Sequence, residues 1–173
     1  YPYLRDAVAS ELRAVRARVE RWELRPRGFK LLAPGLERLY RQGRRGLRTA
    51  RRRASTEALH TWRKRVKDLR YVAETLDRGG KSGAGGASKR VRRVAQRADR
   101  LGEMLGEEHD LALLDRGVRE RSRHFAGERR TRKRLLQLIA RRRKTLRKRA
   151  LREGERLYWH PPRRFVRRLK RSA

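Results

Sequence analysis

Apolar residues recur every three or four positions along most of the chain, the spacing of one face of an α-helix, and no stretch alternates with the two-residue period of a strand. From 4 to 22 the stripe is Leu4, Val8, Leu12, Val15, Val19 and Trp22, and Arg25-Pro26-Arg27-Gly28 breaks it. Pro34 and Gly35 open a second helix to about Arg53, with Leu36, Leu39, Tyr40, Gly43, Leu47 and Ala50 inward. Gly43 and Gly46 weaken that helix locally and permit close packing. Ser55 or Thr56 caps a third helix that runs to about Arg78. A fourth spans about Ser88 to Arg116 through Val91, Val94, Ala98, Leu101, Leu105 and Leu114, and a fifth spans about Glu128 to Arg156 with Leu135, Ile139, Leu146, Ala150 and Leu157 inward. Pro161 and Pro162 then open a short terminal helix carrying Phe165 and Leu169. The pattern predicts an all-α fold, an antiparallel helical bundle of about five to six helices with a basic groove, forming one domain over 1–173.

The Gly-rich segment 79–88 between the third and fourth helices reads as a flexible linker. Gly80-Lys81-Ser82 inside it lacks the setting of a phosphate-cradling loop. Such a loop follows a strand and needs an earlier glycine where Thr75 stands.

The third helix separates two kinds of residue. At about 100° per residue, Leu59, Trp62, Val66, Leu69, Ala73 and Leu76 fall on one face, while His60, Arg63, Lys64, Lys67, Arg70, Tyr71 and Glu74 fall on a neighbouring one. Arg65 and Asp68 lie on neither, so the cations sharing a face with His60 form a patterned subset. Arg41, Arg44, Arg45 and Arg48 on the preceding antiparallel helix would supply a second ridge of charge. An extended polyanion would be met by cations at such regular spacing, with guanidinium forks making paired hydrogen bonds and ammonium groups acting as point charges.

Composition sharpens this picture. The 53 Lys and Arg against 19 Asp and Glu leave a formal charge of +34, a self-repulsion that an anionic partner would relieve. With 42% charged and 36% hydrophobic residues the chain could be disordered, but the helical spacing of its apolar residues argues for a folded domain. It has no cysteine, which removes disulfides and thiolate sites and fits a reducing cytoplasm. Neither a signal peptide nor an apolar run of about 20 residues is present, so no membrane partner is expected.

The motif His60-x-x-Arg63-Lys64-x-x-Lys67-x-Leu69-Arg70-Tyr71, followed by Leu105-Gly106-Glu-Glu-His109-Asp110-Leu111 and by Arg156-Leu157-Tyr158 before Pro162-x-x-Phe165, resembles the CHAD family, the conserved-histidine α-helical domains. The resemblance covers residues 36 to about 170 and is to the carboxyl-terminal half of that domain. It implies two related helical bundles with a basic channel between them that binds inorganic polyphosphate. Residues 1–35 contain no histidine and one helix, so a first half is expected to be absent or supplied by self-association.

The polyphosphate-binding set expected on these grounds is His60, Arg63, Lys64, Lys67 and Arg70 with Arg41, Arg44, Arg45 and Arg48. Arg142, Arg143 and His109 are secondary candidates, His109 standing equally well as a hydrogen-bonded structural histidine. Tyr71 and Glu74 are expected to orient the cations. Neither the HExxH motif nor a paired-histidine spacing makes a metal site, and Glu153-Gly-Glu155-Arg-Leu157 has leucine where the acidic strand motif of triphosphate tunnel enzymes has lysine. A binding domain without catalytic residues, metal or cofactor is therefore expected, in the cytoplasm or at polyphosphate granules. The expected partner is inorganic polyphosphate, with nucleic acid as a non-specific polyanion and a homo-oligomer as one way to complete the groove. The alternative is a non-sequence-specific RNA- or DNA-binding protein. Against it, aromatics make up only 6% of the chain, and Trp22, Trp62 and Phe165 fall on apolar stripes.

Overall fold

A computed structural model describes residues 2–22, 29–79 and 89–170. Among these residues there is no strand, and the α-helices are α1 (Pro2–Glu20), α2 (Phe29–Arg52), α3 (Thr56–Gly79), α4 (Lys89–Glu120), α5 (Arg129–Leu157) and α6 (Pro162–Lys170). A 3-10 turn, Ser122–Phe125, lies between α4 and α5. The segment Gly80-Lys81-Ser82 and the rest of the expected linker after Gly79 lie outside the described residues. The chain divides into two compact units, Tyr1–Leu32 and Ala33–Ala173.

In the first unit α1 forms where the apolar spacing predicts it. Leu4, Val8, Leu12, Val15 and Val19 are exposed, and Trp22, expected on an apolar seam, is 62% exposed. α2 begins at Phe29, five residues before the expected start at Pro34. Pro34 therefore lies inside the helix, where it lacks the N–H that would bond the Lys30 carbonyl, and α2 forgoes that bond.

The second unit is an antiparallel bundle, as the registers between neighbouring helices show. Going up α3, His60, Arg63 and Arg70 meet His109, Gly106 and Asp99, in descending order along α4. Going up α4, Arg97 and Glu107 meet Arg156 and Arg142, again descending along α5. Ser55 Oγ accepts from the Ala58 N–H at 3.2 Å and starts α3. On α4 the expected inward Leu114 is 46% exposed, and Ala112 and Val118 take the core positions instead.

The core is organised around close approaches at glycines. Trp62 of α3 is fully buried. A Cβ at Gly46 of α2 would lie 2.7 Å from its ring, and one at Gly154 of α5 would lie 2.5 Å from its ring and 3.1 Å from Leu47. A Cβ at Gly43 would likewise overlap the Tyr158 hydroxyl. Tyr40 of α2 reaches across to α6 and the end of α5, stacking on Phe165 with centroids 3.8 Å apart and donating its hydroxyl to the Leu157 carbonyl at 3.1 Å. Burial raises the Tyr40 hydroxyl to about 12, a backbone hydrogen bond from His160 and the Arg44 charge acting the other way.

Two glycine substitutions should therefore move stability in opposite directions. Gly154→Ala has no room for its methyl group and should cost about 1–3 kcal/mol, the usual penalty of overpacking. Gly102→Ala meets nothing within 4 Å and should gain roughly 0.5–1 kcal/mol from helix propensity. Thermal unfolding of the two variants beside the parent protein measures both.

Candidate functional site

The rotation of α3 about its own axis follows from its buried stripe. With Trp62, Val66, Leu69 and Ala73 turned into the core, the face carrying His60 rises beside α4. His60 and His109 lie ring to ring with centroids 4.6 Å apart. One turn further, Arg63 lies across Gly106, where a Cβ would stand 3.5 Å from its Nε and its terminal nitrogen. Gly102 continues this side-chain-free strip of α4, and Asp99 ends it by pairing with Arg70 at 2.6 Å.

The cations on this face are not equivalent. Arg70 is held twice, by Asp99 and by Glu74 at 2.9 Å, and Glu74 also reaches Arg78 at 3.6 Å. Tyr71 orients its neighbours through its ring, with Lys67 Nζ 5.8 Å and the Arg70 guanidinium 5.3 Å from the centroid. Lys64 is exposed, while Arg63 and Lys67 are half-buried. Four buried nitrogens on this face, His60 Nδ1, His109 Nδ1, Arg63 Nε and Arg70 Nε, have no hydrogen-bond partner among the described residues, although Arg70 Nε keeps its ion pair with Glu74. His60 is held below its ordinary pKa by burial first, and then by His109, Lys64 and Arg63.

The α2 arginines do not join this face. Arg45 shares a cavity of about 500 Å³ with Thr61 and Arg65, on the opposite flank of α3 from His60. Arg41, Arg44 and Arg48 lie at helical spacing on the flank of α2 away from Gly46 and Trp62, the side on which Arg51 pairs with Glu155 of α5 at 3.1 Å. Arg41 is also engaged with Glu37. The two ridges expected from sequence are thus set apart by the body of the bundle.

Arg142 and Arg143 also have other work. Arg142 makes a paired contact with Glu107 at 2.6 and 2.9 Å. Glu108, a fully buried carboxylate, receives Arg143 at 3.0 Å and Arg147 at 2.8 Å. Arg143 goes on to the Thr56 hydroxyl at 3.1 Å, so this cluster joins α4, α5 and the start of α3. Sequence reasoning passed over Glu108 because its partners lie 35 and 39 residues away. His109 stands opposite His60, and the spacing of Asp99, Gly102, Gly106 and His109 on one stripe of α4 was the signal for it.

Among the described residues no group of three or more His, Cys, Asp or Glu is placed to hold a metal, and no helix is long and apolar enough to cross a membrane. The fold and this face define an all-helical, strongly basic domain with a histidine and cations on one helix set against a glycine strip on the next. The CHAD domain family model matches residues 3–119, and the chain belongs to that family, which is associated with polyphosphate binding. That span takes in α1 and ends at the carboxyl-terminal end of α4. No curated protein and no solved structure matches the chain.

Two measurements follow from this geometry. A histidine whose folded pKa is lowered takes up its proton more readily when unfolded, so His60 should reduce stability as pH falls through about 6.5. A proton NMR titration should place His60 below that value and move it upward in Lys64→Ala. Glu108→Ala should cost about 2–3 kcal/mol in denaturant unfolding, because it strands two arginines whose side chains are only 16% and 28% exposed.

Proposed function

We propose that this domain binds inorganic polyphosphate along the His60 face of α3, with Arg63, Lys64 and Lys67 as the principal contacts and Gly102 and Gly106 of α4 as the floor. The observation that carries this reading is the cluster of partnerless buried nitrogens on His60, His109 and Arg63 beside that floor. Each buried polar group left unpaired costs about 1–3 kcal/mol, so the cluster does not serve the stability of the fold. Family membership and the +34 charge support the same reading. In it, Arg70, held by Asp99 and Glu74, buttresses the face and contacts the ligand less than its neighbours do. The α2 arginines act as a separate basic surface. The domain is a binding module without catalysis, and it directs the protein to cytoplasmic polyphosphate granules.

A polyanion lying on this face favours the charged imidazole and so raises the His60 pKa from its lowered value. Binding takes up protons, and affinity rises as pH falls from about 8 to 6.

The test sets position against total charge. Arg63→Ala, Lys64→Ala and Lys67→Ala combined should weaken binding of long polyphosphate at least about tenfold, since charge-assisted contacts to phosphate are the strong kind. The combination of Arg163→Ala, Arg164→Ala and Arg167→Ala on exposed positions of α6 removes the same charge and should weaken it far less. Equal losses would assign binding to net charge. RNA of matched phosphate content should fail to displace polyphosphate at the same ionic strength, and displacement would turn the reading to nucleic acid.

A further inference from the structure

A second basic site lies at the other end of the bundle, where α5 hands the chain to α6. Arg97 of α4, Arg152, Glu155 and Arg156 of α5, and Trp159 and His160 of the connection line an open cavity of about 570 Å³. Its size suits a ligand of nucleotide dimensions. The indole of Trp159 is 75% exposed, whereas its neighbour Tyr158 and the core rings of Trp62, Tyr40 and Phe165 are buried. An indole held in solvent among cations gains nothing for the fold; its uncovered face is a surface on which a planar ring can stack.

The charges around it are arranged unevenly. Glu155 is drawn toward Arg51 at 3.1 Å, and Arg156 is tied to Glu153 at 3.4 Å. Arg97 donates to the Arg156 carbonyl at 3.3 Å, which spans the mouth between α4 and α5. Arg152 is exposed on the turn of α5 that precedes this cluster. His160 is held below its ordinary pKa by burial and by the Arg168 and Arg164 charges, a sign of the positive potential on this side. Inward, Arg97, Arg156 and His160 also line an adjoining cavity of about 210 Å³ whose wall includes Arg93. An aromatic platform on one side and guanidinium groups on the other match the two halves of a nucleotide.

We propose that this cavity binds a nucleoside triphosphate, the base stacked on Trp159 and the phosphates held by Arg97, Arg152 and Arg156. The site is separate from the His60 face, and its occupancy does not depend on what binds there. An inorganic phosphate chain would use the cations and leave the indole unused. Stacking is therefore the term that separates this ligand from polyphosphate.

Calorimetric titration of the full chain with ATP, inorganic tripolyphosphate and a single-stranded RNA decamer, without divalent cations and at one ionic strength, tests the proposal. ATP should bind at least about fivefold tighter than tripolyphosphate, the lower end of what one base–aromatic stack contributes. Trp159→Ala should abolish that advantage, Trp159→Tyr should retain it, and Arg152→Gln should weaken ATP and tripolyphosphate alike. The advantage should persist when Arg63, Lys64 and Lys67 are all alanine, which separates this site from the α3 face. Equal affinities for ATP and tripolyphosphate, an advantage that survives Trp159→Ala, or one that vanishes with the α3 substitutions would each overturn the proposal. A Trp159-dependent gain for the decamer without one for ATP would overturn it in favour of strand binding.

Discussion

The seating of one indole between two glycines controls what this domain can present. Trp62 sits fully buried where Gly46 of α2 and Gly154 of α5 leave no side chain in its way. That position fixes the rotation of α3, because the ring fits only with the Val66, Leu69 and Ala73 edge turned inward. The His60 stripe is thereby aimed at α4. The fit has a cost, since the indole N–H is buried without a partner and forgoes about 1–3 kcal/mol. Packing outweighs the missing hydrogen bond in placing it there.

Carboxylates are scarce in this chain, and many of those in the bundle are used as stitching. Glu107 and Glu108 join α4 to α5, Asp99 joins α4 to α3, and Glu155 joins α5 to α2. The buried Glu108 is the most demanding of these, because a desolvated carboxylate is tolerable only when its oxygens are met by good donors. Binding faces are consequently made of the cations that these acids leave over. Added salt then acts in two directions, screening the repulsion that loosens the free fold while weakening its hold on an anion.

Helices were legible in the sequence because each buries one stripe, and a 3.6-residue stripe survives any arrangement of its neighbours. The inward residues of α3, from Leu59 to Ala73, and of α5, Ile139, Leu146, Ala150 and Leu157, are buried as that stripe requires. The flank of a helix that meets a given neighbour is not written in its own periodicity. For that reason Arg41, Arg44, Arg45 and Arg48 read as a ridge beside His60 although the structure turns them elsewhere. Leu114 shows the reverse, an apolar position in good register that the bundle leaves exposed. Trp159 carries no periodic signal, because it lies beside Tyr158 in the short link between α5 and α6 and outside any helical stripe. The start of α2 differs from the expected one because a proline usually marks a first turn, whereas Pro34 lies inside the helix, five residues after Phe29.

The contact between His60 and His109 has a use beyond binding. Each imidazole lies 4.6 Å from the other, inside its neighbour's ring current, and the two are carried by different helices. Their carbon-bound protons therefore act as a built-in ruler for the separation of α3 and α4. The chain has four histidines, so these resonances stand in an uncrowded region of the spectrum and need no label. Any ligand, salt or substitution that slides one helix along the other will be visible there as a change in shielding, whether or not it touches either ring.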